Sequence, residues 1–277
     1  HEVNTILSGA ETAQGLPNAQ MYYSFLRGAG KQYGVHGFGN ASVFNRWGYK
    51  NYTVPEVKQG DQGYLTGPEA GTSLALLKRL IWTHVQDNSV VAGYESGWIL
   101  GEGAGATLSP IGKLQRDAQR IVAERPRAGV HLTPVALMVD FASGWVPARH
   151  LYSRKAFQTW GNLPYGPGDY LMHRVFSMLY PGYEDASYFR DERGFITPTP
   201  YGDIADVVFS DAQGWMLAQY AVVVLAGELY GPVAEVAHNL REYVRGGGRL
   251  VLTASNAARL GAELTGVAAG GECVRFD

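Results

Sequence analysis

Apolar positions along the chain alternate between two periods. Residues 18–33 carry a helical spacing that stops at Gly34, a residue suited to the left-handed turn that closes a helix. A short strand follows over 35–38. A long stretch, 39–71, is rich in Gly, Asn, Tyr and Trp and reads as a loop of functional length. Residues 73–86 return to helical spacing, with Leu74, Leu77, Ile81 and Val85 on one face. Residues 89–94 are nearly all apolar, as expected of a strand buried on both faces of a parallel sheet. Ser109-Pro110 marks a helix start, Ser as N-cap and Pro as first helical residue; Ile111, Leu114, Ala118 and Ile121 form its apolar face.

The pattern then repeats in the second half. Residues 132–141 are apolar until Asp140 and predict another strand. Residues 142–200 are irregular, with one helix expected near 169–179. Strands are expected over 203–209 and 220–226. A helix over 232–245 directs Val233, Val236, Leu240 and Val244 inward, Gly246-Gly247-Gly248 stops it, and 249–253 is again a strand. Short apolar strands alternating with amphipathic helices define an α/β chain, and the last part reads as a doubly wound βαβ unit. The expected organisation is a barrel-type segment over 1–150, a connecting segment over 151–200 and an α/β domain over 201–277.

Composition narrows the chemistry. Apolar residues make up 46% of the 277, enough for a sizeable core. A net charge of −2 lacks the basic excess that phosphate-backbone binding needs, so nucleic acid is not an expected partner. No stretch approaches the ~18–20 apolar residues of a membrane span. A single cysteine, Cys273, excludes an internal disulfide and a cysteine zinc site, and leaves the compartment open. The seven histidines show no His-Glu-x-x-His spacing, so no metal or other cofactor is expected. The 17 Tyr and 6 Trp lie largely in glycine-punctuated segments, a setting suited to flat, weakly polar ligands such as sugars.

The chemistry centres on Gly93-Tyr94-Glu95-Ser96-Gly97-Trp98. Glycoside hydrolysis needs carboxyl groups flanking the scissile bond, and in (β/α) barrels such groups sit at the C-terminal ends of strands. Glu95 meets that positional test, with Tyr94 and Trp98 as candidates to stack on a sugar ring. Asn40, Asn45, Arg46 and Trp47 bring amides, a guanidinium and an indole after an earlier strand end, a set suited to sugar recognition. Asp140 ends a strand and is a candidate either for the pocket or for a structural hydrogen bond; His36 and Glu102 are further candidates for the pocket. His84, on the helix before the Glu95 strand, is expected to be structural. Gly246-Gly247-Gly248-Arg249 runs from helix to strand, the reverse of a phosphate-binding loop.

These motifs resemble a known family. Arg27-Gly28-Ala29-Gly30-Lys31-Gln32-Tyr33-Gly34, Gly71-Thr72-Ser73-Leu74, the run from Ser89 to Glu95, Leu108-Ser109-Pro110-Ile111-Gly112 and Thr133-Pro134-Val135-Ala136-Leu137-Met138-Val139-Asp140-Phe141 are together similar to clan A barrel glycosidases distantly related to family 42 β-galactosidases. The resemblance implies the closing strands of a (β/α)8 TIM-type barrel, with Glu95 after the seventh strand as nucleophile of a retaining mechanism. It implies a proton donor after the fourth strand, in an Asn-Glu pair. No Asn-Glu occurs here; Glu2, in His1-Glu2-Val3-Asn4, is the candidate second carboxylate, and the donor is otherwise expected upstream of His1.

The second half resembles the flavodoxin-like, amidotransferase-like domain that follows the barrel in those enzymes. The matching features are Asp206-Val207-Val208, the run from Tyr220 to Leu225, and Leu240-Arg241-Glu242-Tyr243-Val244 leading into glycines. The resemblance implies a trimer. Amidotransfer needs a cysteine nucleophile, which this region lacks, so the domain is expected to be non-catalytic. The leading expectation is therefore a β-galactosidase-like hydrolase of oligo- or polysaccharide. The alternative is a non-catalytic carbohydrate-binding or assembly protein on the same fold.

Overall fold

The structure is a computed structural model that describes residues 7–12, 16–41, 74–87, 89, 91–94, 99–100, 105–126, 129–143, 166–181, 201–261 and 264. The chain forms two compact units. One comprises 1–132, 148–163 and 176–203; the other comprises 133–147, 164–175 and 204–277. Both are mixed α/β with parallel sheets.

The first unit holds a three-stranded sheet of β1 (Leu7–Thr12), β2 (His36–Ala41) and β3 (Val91–Tyr94), neighbours in chain order and all parallel. The helices α1 (Leu16–Tyr33) and α2 (Leu74–Gln86) make the crossovers that parallel strands require. Gly34, at φ 70°, closes α1 as its sequence position predicts. The buried face of α2 is Leu77, Leu80, Ile81 and His84; Leu74 is exposed. His84 lies flat against β2, and a Cβ on Gly39 would sit 2.4 Å from its ring, so only glycine fits there. Tyr23 of α1 meets the same ring edge-on at 5.2 Å, which puts α1 and α2 on one face of the sheet. In α3 (Pro110–Glu124), Ser109 Oγ accepts from Gly112 N at 3.0 Å, the cap expected from Ser-Pro. Ile111 and Ala118 are its buried apolar positions.

The second unit holds a four-stranded parallel sheet in the order β5-β4-β6-β7: β4 (Val135–Val139), β5 (Ala205–Phe209), β6 (Val222–Ala226) and β7 (Arg249–Val251). The strand expected over 132–141 thus differs from its sequence assignment. It does not continue β1–β3 but pairs with β5 and β6, which makes it part of the second unit. A strand apolar on both faces shows no alternation, so nothing local identifies its sheet.

Helices α4 (Pro167–Leu179), α5 (Gly214–Leu217), α6 (Val233–Arg245) and α7 (Ala254–Leu260) complete the described elements. Val236, Leu240 and Tyr243 of α6 bury one helical stripe against Met216, Leu217, Val223 and Leu225. Gly248 follows α6 where a Cβ would meet the Tyr243 ring at 2.2 Å, so the glycine run serves packing as well as helix termination. The expected strand over 249–253 is shorter; Thr253 instead caps α7, its Oγ1 accepting from Asn256 N at 3.1 Å.

Candidate active site

The C-terminal ends of β1, β2 and β3 lie in register. Ala10, Gly39 and Ala92 form one row; Glu11, Asn40 and Gly93 form the next; Thr12, Ala41 and Tyr94 form the last. Rows alternate between the two faces of a sheet. Gly39 abuts His84 of α2, so its row and the Tyr94 row belong to the helix-covered face. The Glu11–Asn40–Gly93 row belongs to the opposite face. There, no atom of a described residue lies within 4 Å of where a Gly93 Cβ would sit.

The expected site residues fall as follows. Asn40 lies inside β2, which runs three residues beyond its expected end, so it is a strand residue and not a loop residue. Tyr94 is the last residue of β3, one row beyond Asn40 and on the other face. Glu95, Glu2, Asn45, Arg46, Trp47, Trp98 and Glu102 lie outside the described residues. His36 opens β2 and so sits at the N-terminal end of the strand, away from this edge. Glu11 was not foreseen. Leu-Ser-Gly-Ala-Glu-Thr has neither alternation nor β-branched enrichment, so β1 left no strand signal to point to its last residues.

A second polar group in the first unit joins distant parts of the chain. Arg27 NH2 lies 2.9 Å from Asp203 Oδ1, and its NH1 lies 3.1 Å from Asp203 Oδ2 and 2.8 Å from Asp87 Oδ1. His131 Nδ1 is 2.9 Å from Asp87 Oδ1, and its Nε2 is 2.7 Å from the Asp203 carbonyl. Asp87, His131 and Asp203 each offer a donor atom within 4.8 Å of the others, the spacing of a metal site. The set does not fit a metal in this arrangement, because Arg27 already supplies the positive charge and both His131 nitrogens are engaged. The hydrogen bond to Asp87 raises the His131 pKa above its usual 6.5. Burial pushes the Asp203 carboxyl upward against the opposing pull of Arg27.

Asp140, a candidate for the pocket or for a structural hydrogen bond, lies at the end of β4 in the second unit and is only 2% exposed. Its Oδ1 accepts from Ser210 Oγ at 2.9 Å. Its Oδ2 accepts from Tyr230 N at 2.8 Å and Gly231 N at 3.2 Å. Asn256 holds the same loop, donating to Gly227 O at 2.8 Å and accepting from Leu229 N at 3.2 Å. These contacts engage Asp140 in fixing the loop after β6. An open depression lined by Trp215, Tyr220, Glu242, Tyr243 and Gly248 lies toward the strands' N-terminal ends, the end that α/β sheets do not use for ligands.

No protein-family model matches the chain, and no curated protein matches it at a significant level. Among the described residues no helix is long and apolar enough to cross a membrane.

Proposed function

We propose that the protein is a glycoside hydrolase acting on β-linked oligo- or polysaccharide, with Glu95 as the nucleophile. The observation that carries this reading is the β1-β2-β3 arrangement. Three parallel strands follow one another in chain order, helices cover one face, and Glu95 is the next residue in sequence after the last of β3. A (β/α) barrel is built from such units, and in it catalytic groups follow strand C-terminal ends. No atom of a described residue lies within 4 Å of a Cβ built on Gly93, two residues before Glu95 in sequence, and this supports the reading further.

In the proposed reaction the Glu95 carboxylate attacks the anomeric carbon. The bond to the leaving-group oxygen breaks as a second carboxylic acid, for which Glu2 is the candidate, gives that oxygen its proton, and a glycosyl ester forms on Glu95; the resulting carboxylate then takes the proton of the attacking water. Water then attacks the same carbon and releases the sugar with net retention.

The second unit is proposed to be an assembly domain of flavodoxin-like type, consistent with a trimer. Its β5-β4-β6-β7 order matches the first four strands of such sheets, whose ligand crevice lies between the first and third strands. The corresponding loop after β6 is held by the chain's own Asp140 carboxylate, which supports a structural role.

The test is incubation with activated 2-deoxy-2-fluoro-β-glycosides, followed by peptide mass spectrometry. A glycosyl adduct on the peptide containing Glu95, absent in Glu95→Gln along with turnover of aryl β-glycosides, is the expected result. A Glu95→Gln protein that hydrolyses those substrates at the wild-type rate would overturn the assignment.

A further inference from the structure

We infer that the depression beside Trp215 in the second unit is a docking site for an arginine side chain carried by a partner protein. Trp215 follows Gly214, the first residue of α5, and at 71% it is the most exposed aromatic side chain among the described residues. A single exposed aromatic is ordinary on a protein surface. This one stands beside a depression of about 400 Å³, within the size range of binding pockets, whose other walls include Glu242, Tyr243 and the glycine run 246–248. Two glycines shape those walls. A Cβ on Gly214 would come within 2.8 Å of both Cβ and Oε2 of Glu242, so that side chain lies directly against the residue before Trp215. A Cβ on Gly248 would meet the Tyr243 ring at 2.2 Å. A larger residue at either position would displace a wall.

Three features of the lining carry negative potential. Glu242 is the one charged residue among the described residues that line it; its side chain is 55% exposed, with Oε1 3.4 Å from His238 Nε2. Residues 246–248 end α6, a 13-residue helix, and a helix C-terminus carries partial negative charge. The face of an indole ring is negative as well. Arg245 and Arg249, on either side of the glycine run in sequence, are exposed and do not line the depression. The Tyr220 hydroxyl is committed to Asp206 at 3.0 Å, and that of Tyr243 to the Tyr220 and Arg249 carbonyls at 3.2 Å. A sugar could use the indole and the carboxylate but gains nothing from the helix end, whereas a cation gains from all three. A planar guanidinium can stack on an indole while its paired N–H groups reach a carboxylate, which the point charge of an ammonium cannot do at once. The depression lies toward the strands' N-terminal ends, opposite the crevice where α/β sheets take small ligands. That position suits a side chain presented by another protein surface, where Trp and Arg are the usual anchors.

The experiment titrates the full, isotope-labelled chain with an acetylated, amidated Gly-Arg-Gly tripeptide and with its lysine and citrulline counterparts. NMR shifts of the Trp215 indole N–H and the Gly247 amide read the site. The arginine peptide should shift both signals, the lysine peptide should do so more weakly, and the citrulline peptide, similar in shape but uncharged, should leave them in place. Trp215→Ala should weaken arginine binding by about 3- to 30-fold, the range of a cation over an indole, and Trp215→Phe should restore part of it. Glu242→Gln, which keeps the packing on Gly214, should weaken it by about tenfold, as expected for loss of a hydrogen bond to a charged group. Amide spectra that superimpose on wild type away from the depression certify that the variants fold.

No shift with the arginine peptide, equal shifts with the citrulline peptide, or full affinity in Glu242→Gln would overturn the proposal. Saturating shifts of the same two signals with methyl β-glucoside would overturn it too, by making the depression a sugar subsite. Self-association of the free chain that Trp215→Ala abolishes would assign the depression to a second copy of this chain and likewise overturn the partner reading.

Discussion

His131 donates from Nδ1 to Asp87 Oδ1 at 2.9 Å while its Nε2 faces a second acceptor, the Asp203 carbonyl, at 2.7 Å. A carbonyl oxygen can only accept, and Asp87 Oδ1 also receives Arg27. Both ring nitrogens therefore carry protons, and the ring is an imidazolium. Two cations, Arg27 and His131, are balanced by two carboxylates, Asp87 and Asp203. The side chains of Arg27, Asp87 and Asp203 are all under 10% exposed, and His131 is 22% exposed. Charges so far from water persist only with such pairing; removing one partner of a buried pair typically costs about 3–5 kcal/mol. The cluster joins the end of α1's third turn to the residue after α2 and to the segments at 131 and 203.

This geometry sets a pH dependence for the first unit. The folded-state pKa of His131 is raised above its unfolded value of about 6.5. Its contribution to stability is then complete below about 6.5 and is lost as pH rises through the raised value. The expected outcome in an NMR titration is a His131 ring that stays protonated well above pH 6.5. Amide exchange of α1 and α2 should accelerate as the ring deprotonates, and that acceleration should vanish in His131→Gln. A His131 ring that titrates below 6.5 would overturn the imidazolium assignment.

What was legible in the sequence divides by distance along the chain. Ser109-Pro110 announced α3 because a cap is made by residues three apart. The helical stripe of α6 was legible for the same reason in Val236 and Leu240, which are buried, with Val233 and Val244 packed beside them; the buried Tyr243 was not foreseen. The Arg27–Asp203 bridge spans 176 residues and the His131–Asp87 bond 44, and no local pattern encodes either. The sheet membership of β4 was hidden likewise, since its apolar run suits either sheet. β1 was missed because its residues are poor strand formers, held as a strand by pairing with β2. That omission also hid Glu11, the register partner of Asn40. His84 was assigned a structural role from its place on α2, and it is fully buried there.

His84 sets the opposite pH limit. Both its ring nitrogens are buried without a partner among the described residues. Burial lowers its pKa from 6.5 to about 4, with Asp87 opposing the shift. A depressed pKa means that stability is complete above about 6.5 and is lost as pH falls toward 4. At ~1.4 kcal/mol per pH unit, that loss comes to roughly 3 kcal/mol. Urea unfolding followed between pH 4 and 8 should show this acid-side decline, and His84→Phe, which keeps a ring against Gly39, should reduce its slope. An unchanged slope in that variant, or a His84 pKa near 6.5 by NMR, would contradict the assignment.

Asp140 separates the roles of the two units. Its carboxylate accepts from Ser210 Oγ, Tyr230 N and Gly231 N, and it is the group that ties the end of β4 to the loop after β6. Asp140→Ala would leave those donors without their acceptor, at a cost of roughly 3 kcal/mol. Asn256 still holds Gly227 and Leu229 in that variant, so the loop should loosen at its far end first, around Tyr230 and Gly231. Hydrogen exchange should rise there while the Leu229 amide stays protected. If the carboxylate only positions this loop, the proposed hydrolysis of aryl β-glycosides should proceed in Asp140→Ala as in wild type at temperatures below its lowered melting point. If Asp140 instead binds substrate, kcat/KM should fall while exchange near Gly231 is unaltered in Asp140→Asn, which keeps one oxygen acceptor for the backbone amides. Measuring both quantities in both variants therefore decides whether the carboxylate belongs to the loop or to the sugar.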